Sequence, residues 1–223
     1  ASEESVSDRG DSESILSAMA GAIEIASILA PKTQLAMIST LLKDIRTRAF
    51  ATVVLQSRGD MIPDEVLEDL LEAGDRDVRL GAAYASVLRG GENLPELLLG
   101  LLMDRDPTVK AYAARMIFQS QIPIPPESLL SFLSDRDPAV RLFLVQAVDG
   151  RTDDPNVIHR LIEMVGDPQP VVSDAAGDKL VDMGARNPHV MEALANAQRS
   201  GNGKVDDLLG RIESRRTGEK GQR

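Results

Sequence analysis

The 223-residue chain carries 35 acidic against 25 basic residues, a net charge of −10, so a nucleic-acid duplex, whose capture rests on clustered Lys and Arg, is not an expected partner. Cysteine is absent, which removes a disulfide framework, a thiol nucleophile and a zinc–thiolate site. With 43% hydrophobic residues but only four Phe, two Tyr and no Trp, the composition predicts a packed, soluble, mainly helical protein.

In chain order, residues 1–12 ("ASEESVSDRGDS") are acidic and rich in turn formers, and are predicted to be a disordered tail. A helix is predicted from near Ser14, with Ile15, Leu16, Met19, Ile23, Ala26 and Leu29 at helical spacing. Ala18, Ala20, Gly21 and Ala22 permit close approach of another helix, so this segment reads as a cap over the adjoining helices or as a self-association face. Its apolar run, residues 15–30, is broken by Glu24 and several Ser, too short and too polar for a membrane span, and it lacks the positive start of a signal peptide. The expectation is a cytoplasmic chain without a membrane segment.

From Pro31 onward the chain repeats. Branched residues beside a basic or polar one recur as Ile45-Arg46, Val78-Arg79, Val109-Lys110, Val140-Arg141 and Val172-Ser173, spaced by 33, 31, 31 and 32 residues. Each later anchor opens a small-residue run, and upstream of it lies a shorter Leu-rich segment such as "EVLEDLLEAG" or "ESLLSFLS". Each unit is predicted to be a helix, a tight turn and a second helix.

Three residues before the anchors stand Asp75, Asp106 and Asp137, the last two followed by Pro107 and Pro138. Asp at the N-cap with Pro at the first helical position is a helix start: the carboxylate accepts orphan N–H groups and proline has none to satisfy. Gln169 before Pro170 is a weaker version, and Leu42 in the first unit is no cap. The basic residues Arg79, Lys110 and Arg141 sit near the positive end of a helix dipole, an unfavourable place without a carboxylate nearby. Asp104, Asp135 and Asp167, five before their anchors, are placed to supply one, and a structural ladder between stacked turns is expected.

The pattern resembles the HEAT repeat, most closely the HEAT-like repeat of phycobilisome lyase subunits, whose consensus reads roughly L-x-D-x-D-P-x-V-R-x-x-A-A-x-A-L. Leu102 to Ala114 and Leu133 to Ala147 match it well, residues 66–88 match without the proline, and residues 157–180 without the arginine. The resemblance covers about residues 40 to 183. It implies an all-α fold, a right-handed α-α superhelix of about five hairpins with capping helices, over residues 13–198. It says little about function, because such repeats serve scaffolds, lyases, hydroxylases and regulatory subunits alike.

Between the third and fourth units, "QSQIPIPPES" is a stiff proline-rich connection. "ARNPHVMEALANAQ" is predicted to form one capping helix, "RSGNGK" a break, and residues 199–223 a flexible basic segment with a short helix over 205–214. The last 25 residues hold seven basic and four acidic residues, so docking on an acidic partner is the alternative to a solvated tail.

Nothing nominates catalysis or a cofactor. The two histidines, His159 and His189, stand apart, no glycine-rich phosphate loop is present, and the His-Glu steps of iron hydroxylases built on similar repeats are missing. What remains is a surface. In such solenoids the second helix of each unit lines the concave side, so Leu80 and Tyr84, Ala111 and Arg115, Leu142 and Gln146 are expected to face it, with Asp174 and Asp178 at its C-terminal end. Function is therefore expected to be non-catalytic binding of a protein or peptide on that face. The alternative, implied only by the resemblance, is an accessory subunit of a bilin lyase.

Overall fold

The computed structural model describes residue 21, residues 31–44, residue 47 and residues 62–220, and among these it contains eleven helices and no strand. The expected acidic tail, the N-terminal helix apart from helical Gly21, and the anchor Ile45-Arg46 of the first unit lie outside the described residues. No helix among the described residues is long and apolar enough to cross a membrane. The chain divides into two compact units, residues 1–94 and 95–223.

In the first unit, α1 (Pro31–Lys43), α2 (Asp64–Leu71) and α3 (Arg76–Arg89) pack pairwise on one another. Helix α2 follows Pro63 with Asp64 and Glu65 in its first turn, and its spacing turns Val66, Leu67 and Leu70 to one side. Those side chains join Ile38, Ile62, Val78, Ala82 and Ala85 in a single core. Asp75 starts α3, its Oδ1 accepting from the N–H of Asp77 at 2.8 Å and of Val78 at 3.3 Å. The helix stops at Gly90, where φ is +69°, a conformation only glycine adopts cheaply.

The second unit holds α4 (Leu94–Leu101, beginning at the boundary), α5 (Pro107–Ser120), α6 (Pro126–Phe132), α7 (Pro138–Ala147), α8 (Pro155–Met164), α9 (Pro170–Gly184), α10 (Pro188–Arg199) and α11 (Lys204–Lys220). Six of these, α5 to α10, carry Pro in the first turn, where its missing N–H costs nothing. Side-chain caps precede four of them. Asp106 accepts from Thr108 N and Asp137 from Ala139 N, both at 2.8 Å, Asp154 from Asn156 N at 2.9 Å, and Asn187 from His189 N at 2.9 Å. Gln169 makes no side-chain cap bond.

Packing follows the period. Helices α5, α7, α9 and α11 pack in succession, as do α6, α8 and α10, and adjacent members pair as hairpins α6–α7, α8–α9 and α10–α11. The anchors Val109, Val140, Val172 and Val205 are each fully buried.

The last of those valines marks a departure from the sequence expectation. Where residues 199–223 are expected to be a flexible segment with a short helix over 205–214, the described part, to residue 220, holds a longer helix: α11 runs from Lys204 to Lys220 and packs on α9 and α10. Val205, Leu208 and Ile212 recur on one side of it and are at most 4% exposed. Helix α9 admits them because Gly177 and Gly184 carry no Cβ; one built on Gly177 would lie 3.2 Å from Leu208 Cδ2, and one on Gly184 2.6 Å from Ile212 Cδ1. The segment expected as a single cap is thus the first helix of a further hairpin, α10–α11. Val205 lies 33 residues after Val172, with Asn202 in the cap position, a signal present in the sequence.

Candidate functional site

The "DRDP" turns come first, because they hold the densest charge. The opening Asp of each turn, and Asp167 at the equivalent place in the next unit, closes the turn, and two of the three also take a base. Asp104 Oδ1 accepts from Asp106 N at 2.7 Å, Asp135 Oδ1 from Asp137 N at 2.8 Å and Asp167 Oδ1 from Gln169 N at 2.9 Å, closing three equivalent turns. The other oxygen of Asp135 and Asp167 takes the base of the preceding unit: Lys110 Nζ reaches Asp135 Oδ2 at 2.6 Å, and Arg141 Nε reaches Asp167 Oδ2 at 2.8 Å.

Arg141 goes further than Lys110 can, because its guanidinium is a fork. Nη2 donates to Asp167 Oδ1 at 2.8 Å, while Nη1 turns back to the carbonyls of Asp135 at 2.8 Å and Arg136 at 3.1 Å. Arg79 repeats the backward half, its Nη1 donating to the Ala73 carbonyl at 2.8 Å and the Gly74 carbonyl at 3.2 Å. Burial pushes the Asp167 carboxyl up, but the hydrogen bonds from Arg141 and Gln169 N outweigh it and hold the group below its ordinary range. Asp135 is likewise lowered, burial being outweighed by Lys110 and Asp137 N, and the bond to Asp167 holds Arg141 above its usual value. Carboxylates engaged on both oxygens and held ionised are committed to the fold.

The expected binding residues fall in both units. Leu80 and Tyr84 lie half-buried on α3 in the first, while in the second Ala111, Leu142 and Gln146 are half-buried and Arg115 is exposed. Phe118 joins the second set: it stands seven residues, two helical turns, after Ala111, is 38% exposed, and its ring stacks on Phe143 of α7 with centroids 6.4 Å apart. Arg115 lies 5.8 Å over the Tyr112 ring. Phe118 lies one turn beyond Arg115, and its position nine after the anchor Val109, a signal present in the sequence, puts it on the same side.

The acidic end of that face is only partly open. Asp178 is paired with Arg211 of α11, and Asp182 Oδ1 with Arg215 Nη1 at 3.1 Å, both across the same offset of 33 residues. Two of the basic C-terminal residues, Arg211 and Arg215, thus meet acids of their own chain, along a cleft also lined by Val181, Asp207 and Ser214. Asp174, one turn earlier, is exposed. Lys179 Nζ closes the end of α7, donating to the carbonyls of Gln146 at 2.8 Å and Val148 at 3.0 Å, and burial lowers its pKa. His159, largely exposed, pairs with Glu163 at 3.3 Å, and among the described residues no three metal-ligating side chains gather into a set that could hold an ion.

No protein-family model matches the chain, and no curated protein does either. Among solved structures it is similar to two engineered proteins from the Northeast Structural Genomics Consortium. One is 20% identical with a TM-score of 0.47, over 80% of this chain and 94% of that one. The other is 16% identical with a TM-score of 0.48, over 86% of this chain and 62% of that one.

Proposed function

We propose that the chain is a HEAT-like α-solenoid, its hairpins stacked as a right-handed superhelix, that works as a non-catalytic scaffold or adaptor and grips a protein or peptide on the face of its second helices. The successive packing of α5, α7, α9 and α11 on a row of buried valines supports the superhelix. The binding reading rests on one observation: the Phe118–Phe143 stack reaches the surface on the two helices that also carry Arg115, one turn before Phe118, and Leu142, next in the chain to Phe143, and aromatic and Arg side chains are the kind that dominate interface energetics.

The test is site-specific crosslinking in extract of the native source. Photoreactive benzoylphenylalanine in place of Phe118 or of Leu142 is expected to capture a defined protein, and the same group in place of Ser131, exposed on α6, is not. Equal labelling at all three positions, or none at 118 and 142, would refute this face as the interface. A shifted absorbance on mixing with a bilin would favour the accessory-lyase alternative.

A further inference from the structure

The same face is charged at its two ends and apolar between them. Arg115 on α5 and Asp174 on α9 are exposed, and half-buried Leu142 lies on α7 between them with the Phe118–Phe143 stack. Repeat register sets the order, because Ala111, Leu142 and Asp174 each stand two residues after a buried valine anchor. Three neighbouring charges are occupied: Lys179 serves the carbonyls of Gln146 and Val148 at the end of α7, Asp178 holds Arg211 and Asp182 holds Arg215.

We propose that this face binds a peptide segment whose side chains run acidic, bulky apolar, basic in the direction from α5 to α9. The acid pairs with Arg115, the apolar residue covers Phe118, Phe143 and Leu142, and a Lys or Arg pairs with Asp174. This rests on the binding reading above and adds the chemistry of the occupant. Charge complementarity selects it: a segment of that order meets an opposite charge at each end, whereas a second copy of a chain with a net charge of −10 is repelled.

The helix spacing sets the peptide's own spacing. Packed helices lie about 8–10 Å apart, so apolar anchor and base are separated by about three residues in an extended segment and about six in a helical one.

The experiment is selection of a randomised 12-residue phage-displayed library on the immobilised full chain, followed by fluorescence polarisation with the strongest synthesised peptide. Enriched sequences are expected to carry the acidic, apolar, basic order. Asp174→Lys is expected to weaken the peptide about tenfold, more at low salt than at high, and reversing the peptide's own basic residue to Glu should restore binding to that variant. Phe118→Ala is expected to weaken it about tenfold while lowering the thermal midpoint only modestly, since the ring is 38% exposed but stacks on Phe143. Arg115→Glu serves as the matching reversal at the other end. No enrichment, or peptides indifferent to both charge reversals, would overturn the proposal. Peptides that need Phe118 but not Asp174 or Arg115 would overturn the stated chemistry while leaving the face as the binding site; peptides that need none of the three would remove both.

Discussion

Replacing Arg141 with Met tests whether the turn ladder holds the second unit together. Methionine keeps most of the apolar stem, so packing changes little and the loss is the guanidinium. That group donates four hydrogen bonds, two to Asp167 at 2.8 Å and two to carbonyls of its own turn at 2.8 and 3.1 Å. The two side chains are only 10% and 6% exposed, so the Asp167 carboxyl would be left in a largely enclosed place with the Gln169 N–H as its remaining hydrogen-bond donor. Breaking a buried pair from one side costs about 3–5 kcal/mol, and a site at the edge of solvent belongs at the lower end, about 3 kcal/mol. Lys110→Met removes a single contact to Asp135, between groups 19% and 12% exposed, and should cost about 1–2 kcal/mol. Urea unfolding followed by circular dichroism at constant slope measures both. Adding Asp167→Asn to Arg141→Met should cost about 1 kcal/mol or more less than the two separately. A loss under about 0.5 kcal/mol for Arg141→Met, the range of ordinary surface changes, would refute the ladder as a stabilising element.

The pH dependence comes from the same groups. The folded-state pKa values of Asp135 and Asp167 are depressed, so their contribution is present above the unfolded carboxyl value of about 4 and is lost as pH falls through the folded values; an acid titration of stability should fall less steeply in Arg141→Met. Asp106→Ala and Asp137→Ala should each cost about 0.5–2 kcal/mol in urea unfolding, whereas Gln169→Asp, which supplies a cap where none is made, should gain up to about 1 kcal/mol. Gly184→Ala sets a helix-propensity gain of about 1 kcal/mol against overpacking of about 1–3 kcal/mol, since the new Cβ meets Ile212 Cδ1. It should lower the thermal midpoint and speed amide exchange in α11, and Ile212→Val, which deletes that methyl, should reverse both effects.

How much was legible depends on the range of the interaction. Asp106-Pro107 and Asp137-Pro138 could be read as helix starts because a cap involves only a side chain and N–H groups two or three residues on. The period was legible for a related reason: each hairpin meets similar neighbours and repeats the same anchor. Reading failed where the partner is distant in the chain. The C-terminal segment reads as a basic tail in sequence because Arg211 and Arg215 find Asp178 and Asp182 33 residues away, and only Val205, Leu208 and Ile212 hint at a buried side. The side of Phe118 follows from its place nine after Val109, but its stacking on Phe143 joins two helices and is not legible in the sequence.

The sequence by itself determined the helical content, the turn chemistry and the repeat length, all of which rest on local geometry and on a hydrophobic period. Tertiary structure decided that Asp135 closes its turn with one oxygen and meets Lys110 with the other, that Asp167 meets Arg141 with both, that α11 docks against two glycines, and that Asp174 of α9 is left exposed while Asp178 and Asp182 are paired. The reason is physical: propensity and capping act over three or four residues, whereas ion pairs, ring stacking and close helix approach are set by side chains that meet only after about thirty residues of chain have folded between them.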